Sequence, residues 1–412
     1  MPTATPRPRQ YGGMQPAILL TLFLLGSALL ALVMPMVIAL GSLIMHERLR
    51  RRALSKHGWE AVRGPALALT RGLNLPPFGI GFDRHARDAI RGTAGDQTPF
   101  IAFVYSCTHW SDDGHVVRMP LPQPYPPGEV DALGRSGRLP LGAASAHCGA
   151  ALATAPDPQV AAAYGNALAP HLSGPWRISV DHQDLVLIGA PRQVKALAAT
   201  VEALAQARAA LLALPREQFT GPPPPSRLSV YGHEDWGYAA RDDARLAQVI
   251  HTTEGDGHQA KDVIWGRREN VSFVRLTHIW QTGTARSGPK GMLHSVSTQH
   301  QEQLCEFHLG FPFINLSVNR QPMGSGLKSA GEDVAQRFTV SSPSPLFTSD
   351  MVSQRQMEYL MDWNPDGFTI TDGRVRFTGE RPWTPQEIEE TLAFLIGFFD
   401  RAPDLARKEL DT

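Results

Sequence analysis

The chain has 412 residues, and its 39 lysines and arginines balance 39 aspartates and glutamates, so that the formal net charge is zero. A balanced charge gives no electrostatic basis for nucleic-acid binding, and the apolar content is too high for a disordered chain. Cys107, Cys148 and Cys305 lack the spacing of a metal site and suit a reducing compartment. We therefore expect a folded protein that needs no cofactor and does not bind nucleic acid.

An apolar segment follows a short N-terminal tail, 1–16. Residues 17–45 contain no charged side chain, and a helix needs about 20 apolar residues to cross a membrane. The segment therefore predicts a single transmembrane helix. A cleaved signal peptide is the alternative, but its apolar region is normally about 7–15 residues long and does not run directly into arginines.

A basic juxtamembrane stub, 46–58, comes next. Its positively charged cluster consists of Arg48, Arg50, Arg51, Arg52 and Lys56. Only Arg7 and Arg9 precede the predicted helix, and Lys and Arg are enriched on the cytoplasmic side of a membrane span. The asymmetry predicts a protein of the cell membrane with a cytoplasmic C-terminal body. The cluster could also bind anionic lipid headgroups, although a role in setting the topology is enough to explain it.

The rest of the chain contains an internal repeat. Residues 86–92, Ala-Arg-Asp-Ala-Ile-Arg-Gly, recur as 260–266, Ala-Lys-Asp-Val-Ile-Trp-Gly. Further matches in the same order are Phe103 with Phe273, Trp110 with Trp280, Gly58-Trp59 with Asp235-Trp236, and 174–178 with 366–370. A stiff run of four prolines, 222–225, separates the two halves. These patterns predict two domain copies, 59–215 and 231–405, with a Pro-rich linker, 216–230, and a C-terminal tail, 406–412.

Each copy is predicted to be an α+β domain with an antiparallel sheet, closed by a C-terminal helix. Helices are expected at 158–168 and 345–363, and closing helices follow Val194 and Thr384, where Thr384-Pro-Gln-Glu387 has the form of a capping box. The first copy contains a proline-rich stretch, 121–127, that cannot form a central strand. We therefore expect part of the first sheet to be missing.

One further pattern points to a family. The apolar segment, the arginine-rich stub with His57-Gly58-Trp59, the Pro77-Phe-Gly-Ile-Gly81 element and the strand Phe100 to Tyr105 resemble a group of uncharacterised actinobacterial membrane-anchored proteins. The resemblance covers most of the first copy and, more faintly, the second. It departs at the Pro-Phe-Gly element, where the second copy has residues 251–257, His-Thr-Thr-Glu-Gly-Asp-Gly. The resemblance implies an anchored tandem-domain layout and carries no catalytic residues.

Catalytic motifs are absent: the chain has no phosphate-binding loop, dinucleotide fingerprint, nucleophile elbow or zinc-protease motif. Histidines are the remaining candidates. His278, His294 and His308 are weak metal-ligand candidates of the second copy, and His109, Asp112, Asp113 and His115 form a second group in the first copy. Asp88 and Asp262 recur at matched positions and are expected to make structural hydrogen bonds.

The sequence therefore predicts a single-pass membrane protein that serves as a non-catalytic binding or scaffolding module at the inner face of the membrane. Its expected partners are the lipid bilayer and either proteins or anionic headgroups. The alternative is an anchored hydrolase or metal-dependent enzyme with its site in the second domain, near His278, His294 and His308.

Overall fold

The computed structural model describes residues 34, 45, 47–64, 66–108, 110–111, 114–134, 143–171, 174–287, 293–320, 337–345, 347–348 and 353–402. The chain forms two compact units, Met1–Ala61 and Val62–Thr412. In the first unit, residues 47–56 are helical and strand β1 spans Glu60–Ala61. The predicted transmembrane helix, 17–45, lies outside the described residues except for Met34 and Met45. Among the described residues, no helix has the length and apolarity to cross a membrane.

The second unit is an α+β structure with two antiparallel sheets, as the sequence predicted. The strands of the first sheet are β2 (His85–Thr93), β3 (Pro99–Cys107), β4 (Trp110–Ser111), β5 (His115–Pro120), β6 (Gly128–Asp131), β7 (Ala144–Cys148), β8 (Ala151–Ala155), β9 (Arg177–Asp181) and β10 (Asp184–Ala190). Their order is β2-β3-β5-β10-β9-β6-β8-β7, and β4 pairs with β3. Helix α1 (Pro158–Leu168) lies between β8 and β9 in the chain, and helix α2 (Val194–Leu212) follows β10.

The second sheet follows the linker. Its strands are β11 (Ser229–Val230), β12 (His233–Arg241), β13 (Asp256–Arg268), β14 (Val271–Ser287), β15 (Leu293–Leu309), β16 (Leu316–Arg320), β17 (Phe338–Ser341), β18 (Gly367–Thr371) and β19 (Arg374–Phe377). Their order is β11-β12-β13-β14-β15-β19-β18-β16-β17. Helix α3 (Gln354–Trp363) lies between β17 and β18 in the chain, and helix α4 (Pro385–Asp400) follows β19.

The helices begin where the sequence places their caps. The side chain of Asp157 accepts hydrogen bonds from the first turn of α1, and Thr384 forms the predicted capping box with Glu387 at the start of α4. The apolar stripe of α4, which includes Ile388 and Leu395, packs into the core beside Phe307 of the second sheet. Helix α3 covers the second half of the predicted 345–363, and the described residues 345, 347 and 348 of the first half are also helical.

The two sheets share one strand order. The sequence β2-β3-β5-β10-β9-β6-β8 corresponds strand by strand to β13-β14-β15-β19-β18-β16-β17, and each closing helix follows the corresponding strand. The expectation that part of the first sheet is missing was therefore wrong. The proline-rich stretch forms no strand, but the chain returns to the sheet at β6, directly after it.

The pairing register also corrects the sequence alignment of the copies. Ala86 lies opposite Tyr105 in the first sheet, and its counterpart Ala260 lies opposite His278 in the second. His278 therefore corresponds to Tyr105, and Phe103 does not correspond to Phe273. From Ile90 to its partner Ala102 the chain advances 12 residues, and from Ile264 to its partner Arg275 it advances 11. The second hairpin is therefore one residue shorter, whereas the match of Phe103 with Phe273 requires it to be four residues shorter.

The repeated aspartates occupy the same irregularity in both sheets. Asp88 and Asp262 have positive φ angles of 55° and 49°, and each lies at a register shift, between Arg87 and Ile90 or between Lys261 and Ile264. Aspartate tolerates this left-handed conformation better than most residues do. A bulge with an aspartate at its centre is therefore a common feature of the two domains.

The two sheet domains meet at a buried arginine. Arg84, which is 4% exposed, donates hydrogen bonds to the carbonyl groups of Gly79 (2.9 Å) and Gly81 (3.0 Å) in its own domain and of Ser229 (2.8 Å) at the start of the second sheet. Its guanidinium lies 3.8 Å from the centre of the Tyr238 ring. Gly79, at φ 73°, leaves no space for a side chain, because a Cβ would lie 2.8 Å from the amide of Tyr231. The Pro-Phe-Gly element is therefore part of this junction.

Asp262 completes the junction from the second sheet. Its Oδ1 accepts hydrogen bonds from the Tyr238 hydroxyl (2.6 Å) and from the amide of Asp83 (2.7 Å) in the first domain. The expected structural role of Asp262 is thereby confirmed. Arg275 donates to the carbonyl of Asp262 at 3.0 Å and stacks 3.8 Å from the centre of the Phe82 ring. Side chains of both domains thus contribute to one buried polar network.

We expect Arg84→Ala to lower the free energy of unfolding by about 2–4 kcal/mol, because three buried carbonyl groups each lose a hydrogen bond. Arg87→Ala, three residues away on the exposed side of β2, should change it by less than about 0.5 kcal/mol. Urea unfolding of the full chain in mild detergent, followed by tryptophan fluorescence, measures both. Equal losses for the two variants would contradict the assigned role of Arg84.

Candidate functional site

The predicted basic cluster lies on a helix. Within residues 47–56, Arg48, Arg52 and Lys56 are exposed and recur every four residues, which places them on one side of the helix. Arg51 forms a 2.7 Å ion pair with a glutamate one turn earlier, and Arg50 is half-buried. Three of the five predicted basic side chains therefore form one exposed positive face.

A group of three histidines lies on the second sheet, on the face opposite helix α4. His251 follows the 3-10 helix Asp243–Gln248, His258 is on β13 and His278 is on β14. One ring nitrogen from each histidine lies within 4.8 Å of the others. His258 lies in a second bulge of β13, between Asp256 and Gln259, and bulges commonly redirect side chains at functional sites. We call these residues the histidine trio.

Each ring of the trio contacts an oxygen that can only accept a hydrogen bond. The pairs are His251 Nδ1 with the carbonyl of Val249 (3.1 Å), His258 Nε2 with the carbonyl of Gly255 (3.2 Å), and His278 Nδ1 with Oε1 of Glu302 (2.8 Å). A carbonyl or carboxylate oxygen has no proton to donate, so the hydrogen is on these nitrogens. The lone pairs are therefore on Nε2 of His251, Nδ1 of His258 and Nε2 of His278.

Burial disfavours the charged form of His278. His278 is fully buried, and this desolvation lowers its pKa below the ordinary value of 6.5; His251 and His258 lower the pKa further, against the opposing effect of Glu302. An apolar cluster made of Val249, Ala260, Val263, Val274, Leu276 and Leu304 lies beside His278 on the same face of the sheet, because Val274, Leu276 and His278 are alternate residues of β14. Trp280 stacks on the outer side of His278, with ring centres 4.7 Å apart. Neutral imidazole is the form that binds metal ions.

A buried carboxylate positions the segment that carries His251. Glu306, which is 2% exposed, accepts a hydrogen bond from the amide of Ile250 at 2.8 Å. Its other oxygen forms an ion pair with Arg374 of β19 at 3.2 Å. Because Ile250 directly precedes His251, this contact fixes the backbone from which the His251 side chain extends.

The first domain has the same contact with its charges exchanged. In the matching register, Arg118 takes the place of Glu306 and Asp184 the place of Arg374, and the two form hydrogen bonds of 2.6 and 2.7 Å. Arg118 also donates to the carbonyl of Leu69, whereas Glu306 accepts from a backbone amide. The backbone partner therefore changes with the charge: the arginine contacts a carbonyl group, and the glutamate contacts an amide.

The histidines named from the sequence occupy different places. His278 belongs to the trio. His308 lies opposite Ser272, 3.9 Å from Glu306, and burial lowers its pKa. His294 is on β15, but its side chain is outside the described part of the chain, as are His109, Asp112 and Asp113. Sequence reasoning missed His251 and His258 as ligands, although His251 is the first residue of the segment 251–257, where the second copy departs from the Pro-Phe-Gly element, and His258 directly follows that segment.

A second feature is an edge of β15 that the other described strands leave mostly uncovered. In the first sheet β10 pairs with β5 along its whole length, from Asp184 opposite Pro120 to Ala190 opposite His115. In the second sheet the corresponding strands pair only at Phe307 and His308. Where β19 diverges, a cleft of about 490 Å³ is lined by Gln301, Glu302, Gln303, Leu304, Arg376 and residues 379–382. We call this feature the β15 cleft.

The far wall of the β15 cleft is held in place. Arg275, which is 1% exposed, donates a hydrogen bond to the carbonyl of Pro382 at 3.0 Å and another to the side chain of Gln303 at 3.2 Å. Arg381 forms an ion pair with Asp366. Glu302 lines the cleft and also contacts His278, so the cleft and the histidine trio share one side chain.

Comparisons with known proteins give little further information. No protein-family model matches the chain, and no curated protein matches it. A solved structure, the crystal structure of the mycobacterial trehalose monomycolate transport factor A, TtfA, aligns with 11% sequence identity and a TM-score of 0.31, covering 41% of this chain and 95% of that chain. A likeness this weak supports no inference about fold or function.

Proposed function

We propose that the chain is a non-catalytic binding module, held at the inner face of the membrane, whose second domain binds an extended segment of a partner protein in the β15 cleft. The observation that carries this proposal is the open edge of β15. Unpaired strand edges present rows of backbone donors and acceptors, and extended peptides bind by adding a strand to such edges.

The internal duplication of the domain supports an extended polypeptide as the ligand of the β15 cleft. The common strand order, the matched bulges at Asp88 and Asp262 and the exchanged ion pair favour an origin of both domains from one ancestor. In the first domain the place that corresponds to the cleft is filled by β10, which is a strand. A polypeptide in extended conformation therefore has the shape and the hydrogen-bonding groups that this position accepts.

The chemistry of the cleft agrees with a polypeptide ligand. Exposed glutamine side chains, Gln301 and Gln303, line the edge, and Arg376 and Glu380 contribute charges of both signs. Such mixed polar walls suit side chains that flank a bound backbone better than they suit a strongly charged small molecule. The hydrogen bonds from Arg275 keep the wall at Pro382 fixed, which lowers the entropy lost on binding.

A photo-activated cross-linking residue at Gln301 should capture one defined segment of a partner protein in native membranes. The matched control is the same residue at Gln206, an exposed glutamine on α2 in the first domain, which should capture nothing specific. Mass spectrometry identifies the linked segment. A synthetic peptide of that segment should then protect the amides of residues 299–305 from hydrogen exchange.

Two results would count against the proposal. Identical adducts at Gln301 and Gln206 would show that the cleft has no preferred ligand. Cross-linked dimers of the chain would show that this edge binds a second copy of the chain and not a partner protein.

The proposed location rests on the N-terminal region. The apolar segment, 17–45, would supply the span, and the exposed face of Arg48, Arg52 and Lys56 would lie beside the headgroups of the inner leaflet. The predicted outcome is that green fluorescent protein fused after Thr412 fluoresces, whereas alkaline phosphatase at the same position is inactive. Active phosphatase would place the body on the other side of the membrane.

A further inference from the structure

We propose that His251, His258 and His278 bind one zinc ion through Nε2, Nδ1 and Nε2, with Glu302 as the residue that orients His278. This inference is independent of the partner segment, because it rests on the histidine trio and not on the strand edge. Of the three histidines that the sequence offers as metal-ligand candidates, His278 belongs to this site.

The trio brings together two ring nitrogens that either a proton or a metal ion can join. Once Glu302 and Gly255 fix the tautomers of His278 and His258, the two remaining nitrogens face each other with lone pairs at 2.9 Å. The planes of the two rings differ by only 12°, so neither nitrogen is turned away from the other. Two facing lone pairs repel at this distance; a proton on either ring relieves the repulsion as one N–H···N hydrogen bond, and a metal ion relieves it by bonding to both nitrogens after they move slightly apart.

The arrangement matches a zinc site in its ligands and dimensions. Zinc–nitrogen bonds of 2.0–2.1 Å place the nitrogens of a tetrahedral site about 3.4 Å apart. The trio spans 2.9 to 4.8 Å, so small rotations of the side chains bring all three nitrogens to the metal. Imidazole suits zinc, and the absence of a carboxylate among the three ligands disfavours magnesium and calcium.

The hydrogen bonds made by the other nitrogen of each ring are also typical of a metal site. Histidine ligands of metals donate their other ring N–H to a carboxylate or a backbone carbonyl, which fixes the orientation of the ring. All three rings have such a partner: Glu302, the carbonyl of Val249 and the carbonyl of Gly255. Random surface histidines do not share this pattern.

The elements around the trio restrict its movement. Glu306 fixes the backbone at Ile250, and the bulge of β13 fixes His258 beside His278. The apolar cluster beside His278, which includes Leu276 and Leu304, excludes water from one side of the trio. Three protein ligands leave the fourth position of a tetrahedral metal for water or for an added ligand.

Zinc titration of the full chain, without a polyhistidine tag and after removal of metals by chelation, tests the proposal. Calorimetry should give one zinc ion per chain. His251→Ala and His258→Ala should each weaken binding more than Glu302→Gln does, and the latter should weaken it about 10-fold. His308→Ala, on the same sheet but outside the trio, is the matched control and should leave the affinity unchanged.

Cobalt gives a second readout that does not depend on the stability of a variant. Co²⁺ bound to the trio should show the intense visible absorption of a four- or five-coordinate ion and should quench the fluorescence of Trp280, which stacks on His278. Trp280→Phe should remove the quenching and keep the absorption. Zinc binding that survives His251→Ala and is lost in His308→Ala, or no binding above the level of a variant that lacks all three histidines, would overturn the proposal.

Discussion

The buried guanidinium of Arg84 is the interaction on which the second unit depends. Removing a positive charge from water is costly unless hydrogen bonds replace its hydration. Here the replacement comes from two carbonyl groups of the first domain, one carbonyl of the second and the face of Tyr238. Neither domain could bury Arg84 alone, so the cost of its desolvation is offset only when both sheets are in place. Asp262 extends the same network through Tyr238 and the amide of Asp83.

The two domains differ in the pairing of one strand and in the segment that precedes their first long strand. In the first domain β10 pairs with β5 along its whole length, whereas in the second domain β19 pairs with β15 at only two residues. At the segment before the first long strand, the first domain has the Pro-Phe-Gly element, which fills the junction, and the second has His251 and Gly255. The proposed duplication therefore gives one copy that completes the interface and one copy that carries both candidate binding features.

The sequence predicted the local structure well and the long-range contacts poorly. Helix α1 has the predicted bounds and Thr384 caps α4 as expected, because caps and apolar spacing are signals within a few residues. The histidine trio was not predicted, because it requires a bulge in β13 and a loop held by Glu306, which belongs to a strand more than fifty residues away. The match of Phe103 with Phe273 was wrong for a similar reason: it assumes a hairpin four residues shorter in the second copy, and only the pairing register shows that the difference is one residue.

The central claim is that the two sheets form one cooperative body through Arg84 and Asp262. Hydrogen exchange of the full chain in increasing denaturant measures this directly, at amides of β3 in the first sheet and β14 in the second. The account predicts that both sets exchange through the same global opening, and that Asp262→Ala separates them into two openings of different free energy. Independent opening of the two sheets in the unmodified chain would contradict it.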